Sequence, residues 1–204
     1  MKLPKPTEGS FEPAPAGNHL AVCYRLVDLG TQESPMYGAK HQILIGWELT
    51  DCMMDDGRPF VIGRRYTLSS HEKARLRHDL ESWRGKRFED RDFGPDGAFD
   101  IRNVIGVGCF LNVVHSDHDG KTYANIEAVA ALPKGTPAPT LANSPVYLSL
   151  DQGEFDSDVF NGLSDRMRET IAASPEFQAL QPRRKAGPVT VPQIDETDDN
   201  DSPF

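Results

Sequence analysis

The fold is decided by the stretch KHQILIGWEL (residues 40–49) and three segments after it: DDG (55–57), PFVIGRRYTL (59–68) and SHEKARLRHDLESW (70–83). The first segment places four apolar residues on one face of a β-strand: Ile43, Ile45, Trp47 and Leu49. The aspartate-glycine pair is typical of a hairpin turn, so the next segment is predicted to return as a second strand. The last segment has apolar residues at helical spacing, and we expect Ser70 to cap this helix and Gly85 to end it.

Alternating patterns on either side of this unit predict three more strands, over residues 19–28, 107–115 and 122–131. Three strands, a helix and a closing hairpin are the element order of the OB-fold, a small five-stranded Greek-key barrel. An α+β sandwich has the same elements and stays open as an alternative. The expectation is a mainly β protein with an OB-fold barrel, in which the helix between strands three and four plugs one end.

Proline and glycine divide the rest of the chain into extensions around this barrel. Residues 1–18 are predicted to be a Pro/Gly-rich N-terminal arm, and residues 19–132 are the barrel. Residues 133–180 form a C-terminal extension, in which residues 146–148 add a strand and the apolar positions after it indicate short helices. Residues 181–204 are predicted to be a flexible linker and a disordered acidic tail.

The net charge of −9 argues at first sight against a nucleic-acid-binding protein. The charge is unevenly distributed, however. Five carboxylates lie within residues 195–204, whereas residues 64–91 carry nine basic and five acidic side chains, a net charge of +4. A local basic surface on an acidic protein is compatible with binding a phosphate backbone.

OB-folds bind single strands across strands two and three, between the loops that flank them. Such binding requires cations for the phosphates and flat rings on which bases stack. The candidate residues for binding single-stranded DNA are Lys40, Arg64, Arg65, Tyr66, Phe110, Lys121 and Tyr123. Tyr123 shares a polar face with Asn125, so burial does not explain its ring. For Tyr66, a place in the core and a role as a stacking surface both stay open. Trp47 is predicted to be core, and Arg75 is predicted to belong to an ordinary solvated helix face.

No group of side chains has the local signature of a catalytic site, and the chain is not expected to be an enzyme. Residues 115–120, HSDHDG, pair imidazoles with carboxylates, but aspartate-glycine is the usual chemistry of a turn. A small hydrolase that uses His115 remains the weakest alternative. Since the three cysteines show no metal-ligand spacing, we expect no metal site and no cofactor.

The same sequence features indicate where the protein is found. An odd number of well-separated cysteines fits a reduced intracellular compartment, with Cys23 and Cys109 in the core. No apolar run is long enough to span a membrane, and the N-terminus lacks the apolar segment of a signal peptide. The expectation is a soluble, cytoplasmic protein.

The chain ends in DETDDNDSPF (195–204), an acidic run closed by Pro-Phe. A segment this charged does not fold alone, yet it offers a partner an aromatic ring, a rigid proline and carboxylates. A tail that only improves solubility is the alternative interpretation. The candidate partner-binding residues are Asp198, Asp199, Asp201, Pro203 and Phe204.

This tail resembles the end of bacterial-type single-stranded DNA-binding proteins, whose tails dock replication and repair partners. Residues 17–31, 72–88 and 120–135 resemble single-stranded DNA-binding proteins encoded in phage and prophage replication modules. The resemblance implies an OB-fold protein that coats single strands in phage DNA replication or recombination in the host cytoplasm, without catalysis. Assembly into a homo-oligomer stays open. Ser202 departs from the aspartate or aliphatic residue that usually precedes Pro-Phe, which lowers the expected fit to a pocket tuned to an aliphatic residue. The alternative is an OB-fold adaptor of a replication complex that binds proteins and no DNA.

Overall fold

The structure is a computed structural model that describes residues 12–36, 38–94 and 99–180. The strands are β1 (Gly17–Gln32), β2 (Lys40–Met53), β3 (Pro59–Thr67), β4 (Gly108–His118), β5 (Lys121–Ala130) and β6 (Val146–Leu148). The helices are α1 (Arg75–Arg84), α2 (Ser157–Asn161), α3 (Asp165–Ala172) and α4 (Pro175–Leu180), with two 3-10 turns at Asp90–Asp92 and Ile101–Val104. The prediction of a mainly β protein is therefore confirmed, together with an added strand and short helices in the C-terminal extension.

The strands form one open sheet in the order β3-β2-β1-β4-β5, and β6 pairs with β1. The five long strands are antiparallel to their neighbours, whereas β6 runs parallel to β1. Strands β3 and β5 are the two edges, and within the described residues no ladder of hydrogen bonds joins them. The sheet is therefore not closed into the predicted barrel, although helix α1 packs against both edge strands.

The inner face of the sheet and helix α1 enclose the main hydrophobic core. Trp47 of β2 is fully buried and its ring lies 5.6 Å from that of Trp83 of α1, between ring centroids. Cys23 and Cys109 are fully buried in the same core. The predictions that Trp47, Cys23 and Cys109 belong to the core are confirmed.

The C-terminal extension forms a second core on the outer face of β1 and β2. Val27 and Leu29 of β1 pack with Leu148, Ile171 and Phe177 of the extension, and Leu44 of β2 packs against this cluster. Strand β1 reaches both cores because its side chains alternate between the two faces, and the bulge between Cys23 and Arg25 shifts which residues face inward. The extension therefore covers much of the outer surface of these two strands.

Helix α1 begins four residues later than predicted. Its N-cap is Ala74, without a side-chain hydrogen bond, and the expected cap Ser70 lies in the preceding loop. Ser69 Oγ accepts the His71 N–H at 3.2 Å, a local bond that competes with the helical pattern. The predicted helix end is confirmed: Gly85 adopts a left-handed conformation with a φ of 67° and donates its N–H to the carbonyl of Glu81.

Candidate nucleic-acid interface

A groove of about 480 Å³ opens where β2 begins, β3 ends and the chain turns towards α1. Four cationic side chains line it: Lys40, Arg65, Lys73 and Arg75. Thr67, Ser69 and His71 add hydrogen-bonding groups, and none of the described residues in the lining is an aspartate or glutamate. The groove therefore concentrates positive charge in an acidic protein, an arrangement that suits an anionic ligand.

The pairing of β2 with β3 brings the groove residues together. Gln42 pairs with Thr67, and the Leu68 N–H donates to the His41 carbonyl at 2.8 Å, so Lys40 falls opposite Ser69. Along β3, Ile62 and Tyr66 are buried while Arg65 and Thr67 are exposed, as the two-residue period of a strand requires. Strand alternation thus directs Arg65 outward to the groove.

Asp79 of α1 is a buried carboxylate that holds three side chains of this region. Its side chain is 5% exposed and accepts hydrogen bonds from the Tyr66 hydroxyl at 2.9 Å, Arg75 Nε at 2.8 Å and Arg64 Nη1 at 3.3 Å. Burial, reinforced by the negative charge of Asp79, raises the pKa of Tyr66 far above its ordinary value. Tyr66 therefore stays neutral and donates its proton to the carboxylate. These bonds connect β3 to α1 and fix Arg75 at the edge of the groove.

Arg75 also links α1 to the other edge of the sheet, since its Nη2 donates to the Glu127 carbonyl of β5. All three of Arg65, Lys73 and Arg75 are exposed, but only Arg75 forms an ion pair with a described residue. The charges of Arg65 and Lys73 are consequently not neutralised by a neighbouring carboxylate of the described chain. These are the two cations of the groove that an anion meets most directly.

The predicted DNA-binding residues fall into three settings. Lys40, Arg65 and Tyr66 line the groove, but the ring of Tyr66 is buried, with the residue 4% exposed, and offers no free face to a base. Arg64 is outside the lining and binds Asp79. Phe110 is half-buried on β4, between Leu20 of β1 and Ala130 of β5.

Lys121 and Tyr123 lie on the β4–β5 hairpin, outside the lining of the groove. The hairpin turns at Asp119 and Gly120, whose φ angles of 51° and 71° are both left-handed, as expected of a tight hairpin turn. Tyr123 is 47% exposed and faces Ser116 across the ladder. His115, the residue of the weak hydrolase alternative, lies within β4 and bonds the Ala14 carbonyl through Nε2 at 2.8 Å.

The sequence interpretation missed Lys73, and it assigned Arg75 to a solvated helix face. Lys73 lies in the loop that the late start of α1 leaves beside β3, and Arg75 is the first residue of the helix. The sequence signal for these two residues is the net charge of +4 over residues 64–91. The periodicity of the apolar residues does not show which of the basic side chains face the groove.

The tail residues predicted to bind partners, Asp198, Asp199, Asp201, Pro203 and Phe204, lie outside the described residues. Among the helices that are described, none is long and apolar enough to cross a membrane. A comparison with protein-family models found no match, and a comparison with curated proteins found none either.

Proposed function

We propose that this chain is a phage-type single-stranded DNA-binding protein whose sheet is an OB-fold barrel left open between β3 and β5. The strand order supports the proposal, because β4-β1-β2-β3 is the spatial order of a Greek key and β5 extends it. OB-folds are partly open barrels, and here the two edge strands approach each other beside helix α1.

The observation that carries the proposal is the cationic groove. Lys40, Arg65, Lys73 and Arg75 would contact successive phosphates, and Asp79 holds one of these guanidiniums in place before the ligand arrives. Binding through phosphates depends on salt and is largely independent of sequence. Both properties are expected of a protein that coats single strands.

Bases would stack on rings outside the groove. Tyr123 is the strongest candidate, since it is exposed on an edge strand with Lys121 two residues away, and each stacked base contributes roughly 1–3 kcal/mol. Phe110 would contribute less because it is half-buried. Tyr66 serves as the floor of the groove through its bond to Asp79.

A fluorescence anisotropy titration with an oligothymidylate tests this function. Salt-sensitive binding at nanomolar to micromolar concentrations is expected. Tyr123→Ala and Lys121→Ala should each weaken binding, but only the lysine substitution should flatten the salt dependence, because only it removes a phosphate contact. Equal salt slopes for the two variants would assign both residues another role, and the absence of binding would reject the function.

The acidic tail is proposed to compete with DNA for the groove and to recruit replication or recombination proteins. Removing residues 195–204 deletes five carboxylates, so oligonucleotide affinity should stay equal or rise, most clearly at low salt. A loss of affinity in this truncated chain would contradict the competition.

One observation favours the alternative of a protein adaptor. An apolar pocket of about 340 Å³ lies beside the groove, lined by Phe88, Phe93 and Phe99 together with Leu68, which is 44% exposed. Exposed apolar surface is typical of protein-docking sites. The same titration separates the two functions, because an adaptor would leave the oligonucleotide unbound at every salt concentration.

A further inference from the structure

Three potential metal ligands meet at the end of β2 opposite to the cationic groove. His19 lies near the start of β1, and Asp51 and Cys52 lie near the end of β2. Ala21 pairs with Leu49, so the same antiparallel register places His19 across from Asp51. One donor atom from each of the three side chains lies within 4.8 Å of the other two.

Two distances from His19 Nδ1 fit a tetrahedral metal centre. His19 Nδ1 is 3.2 Å from Asp51 Oδ1 and 3.8 Å from Cys52 Sγ. A tetrahedral zinc ion with ordinary bond lengths separates a nitrogen from an oxygen by about 3.3 Å and a nitrogen from a sulfur by about 3.6 Å. The histidine nitrogen therefore lies close to its ligand distance from both the carboxylate oxygen and the sulfur.

A backbone carbonyl contacts one ring nitrogen of His19. Nε2 lies 3.0 Å from the Pro15 carbonyl, which can only accept a hydrogen bond, so Nε2 carries a hydrogen. The other nitrogen, Nδ1, faces the carboxylate and the thiol. A backbone carbonyl on the distal nitrogen of a histidine is the usual outer partner of a metal ligand, because it orients the ring.

Asp51 and Cys52 are also placed to bind a metal ion. Asp51 Oδ2 accepts the Leu20 N–H at 2.9 Å, which holds the carboxylate in place and leaves Oδ1 directed at His19. His19 is buried and Cys52 is half-buried, whereas the side chain of Asp51 is 37% exposed. An ion would thus be bound by protein ligands on one side and exposed to solvent on the other side.

We propose that His19 Nδ1, Asp51 Oδ1 and Cys52 Sγ form a zinc site with a water molecule as the fourth ligand. Nitrogen, sulfur and oxygen donors together suit this borderline-soft divalent cation, and three protein ligands with one open position are typical of accessible zinc sites. Binding releases the thiol proton and any proton on Nδ1 to solvent, as ligation requires. The ion would tie the beginning of β1 to the end of β2.

The test uses the untagged full chain loaded with Zn²⁺ and, in parallel, with Co²⁺. We expect one zinc ion per chain after gel filtration and a near-ultraviolet thiolate-to-cobalt charge-transfer band. Cys52→Ser should remove the band, and both Cys52→Ser and His19→Gln should weaken zinc binding by more than the roughly 10–100-fold typical of losing an outer partner.

Two controls make the result specific. His118→Gln removes an imidazole that is 79% exposed, and it should leave zinc affinity unchanged. Zinc should also protect one thiol, Cys52, from alkylation in the wild-type chain, which tests the site without any substitution. Failure to retain zinc, retention undiminished in Cys52→Ser, or a cobalt complex without the thiolate band would overturn the site.

Discussion

The cationic groove and the outer face of β1 and β2 are neighbouring surfaces of one sheet, yet they are used in opposite ways. The groove is open and lined by four cations, whereas the outer face carries Val27, Leu29 and Leu44 and is covered by the C-terminal extension. OB-folds bind single strands across strands two and three and the loops beside them. The difference teaches that the chain following a sheet decides which of its surfaces a ligand can reach.

The contrast between the covered outer face and the open groove should be largest in how substitutions change the free energy of unfolding. Ile171 of α3 is fully buried against the outer face, so Ile171→Ala should lower the free energy of unfolding by about 2–5 kcal/mol. Lys73→Ala in the groove should change it by no more than about 0.5 kcal/mol, since the side chain is exposed. Urea denaturation measures both, and equal losses would mean that the two surfaces do not differ in this way.

Asp79 is the point at which the groove depends on buried structure. Asp79→Asn removes the charge that binds Tyr66, Arg64 and Arg75, and it should cost about 1.5–3 kcal/mol of unfolding free energy. The exposed pair of Arg58 and Asp56 provides the control, because Asp56→Asn removes only a solvent-screened ion pair and should leave the denaturation midpoint nearly unchanged. If the two variants had the same denaturation midpoint, Asp79 would not have the structural role assigned to it.

Gly30 tests how closely the extension docks on β1. It has a φ of 67°, and a Cβ atom there would lie 2.4 Å from the side chain of Ser174, just before α4. Gly38 has the same φ but no described atom within 4 Å of such a Cβ. Gly30→Ala should therefore destabilise the protein by about 1–3 kcal/mol more than Gly38→Ala, the usual cost of overpacking. The comparison fails if the two substitutions have the same effect.

The smallest expected effect concerns a histidine at the edge of the covered face. A hydrogen bond to Asp28 at 2.7 Å raises the pKa of His41 above 6.5; burial opposes this shift, and the negative charges of Asp28, Glu176 and Asp151 add to it. A raised folded-state pKa stabilises the protein fully below pH 6.5 and loses that effect as pH rises through the folded value.

The difference in unfolding free energy between wild type and His41→Gln should therefore be larger at about pH 6 than at about pH 9. Denaturation at a series of pH values measures it. His118→Gln, which changes an exposed imidazole, should show no such trend. A difference in unfolding free energy that grows with pH would contradict a raised pKa of His41 in the folded protein.

The sequence predicted the strands and the inner core well, because alternation over β2 and β3 is a local property. It could not predict the late start of α1, which depends on Ser69 and on the packing of the loop, nor the placement of Lys73 in the groove. The covered outer face and the meeting of His19 with Cys52 were also missed, since each joins residues that are distant in sequence. The pairing register of the strands decides which distant residues meet, and the spacing of residues along the sequence does not reveal that register.

The most direct measurement of the central claim is the salt dependence of oligothymidylate binding in two double variants. Arg65→Ala with Lys73→Ala removes two groove cations, and Arg58→Ala with Lys134→Ala removes two exposed cations outside the groove lining. The groove variant should lose about 1.4 from the slope of log affinity against log salt, the value for two phosphate contacts, while the control keeps the wild-type slope. If both variants lose the same slope, or the groove variant loses none, the groove is not where single-stranded DNA binds.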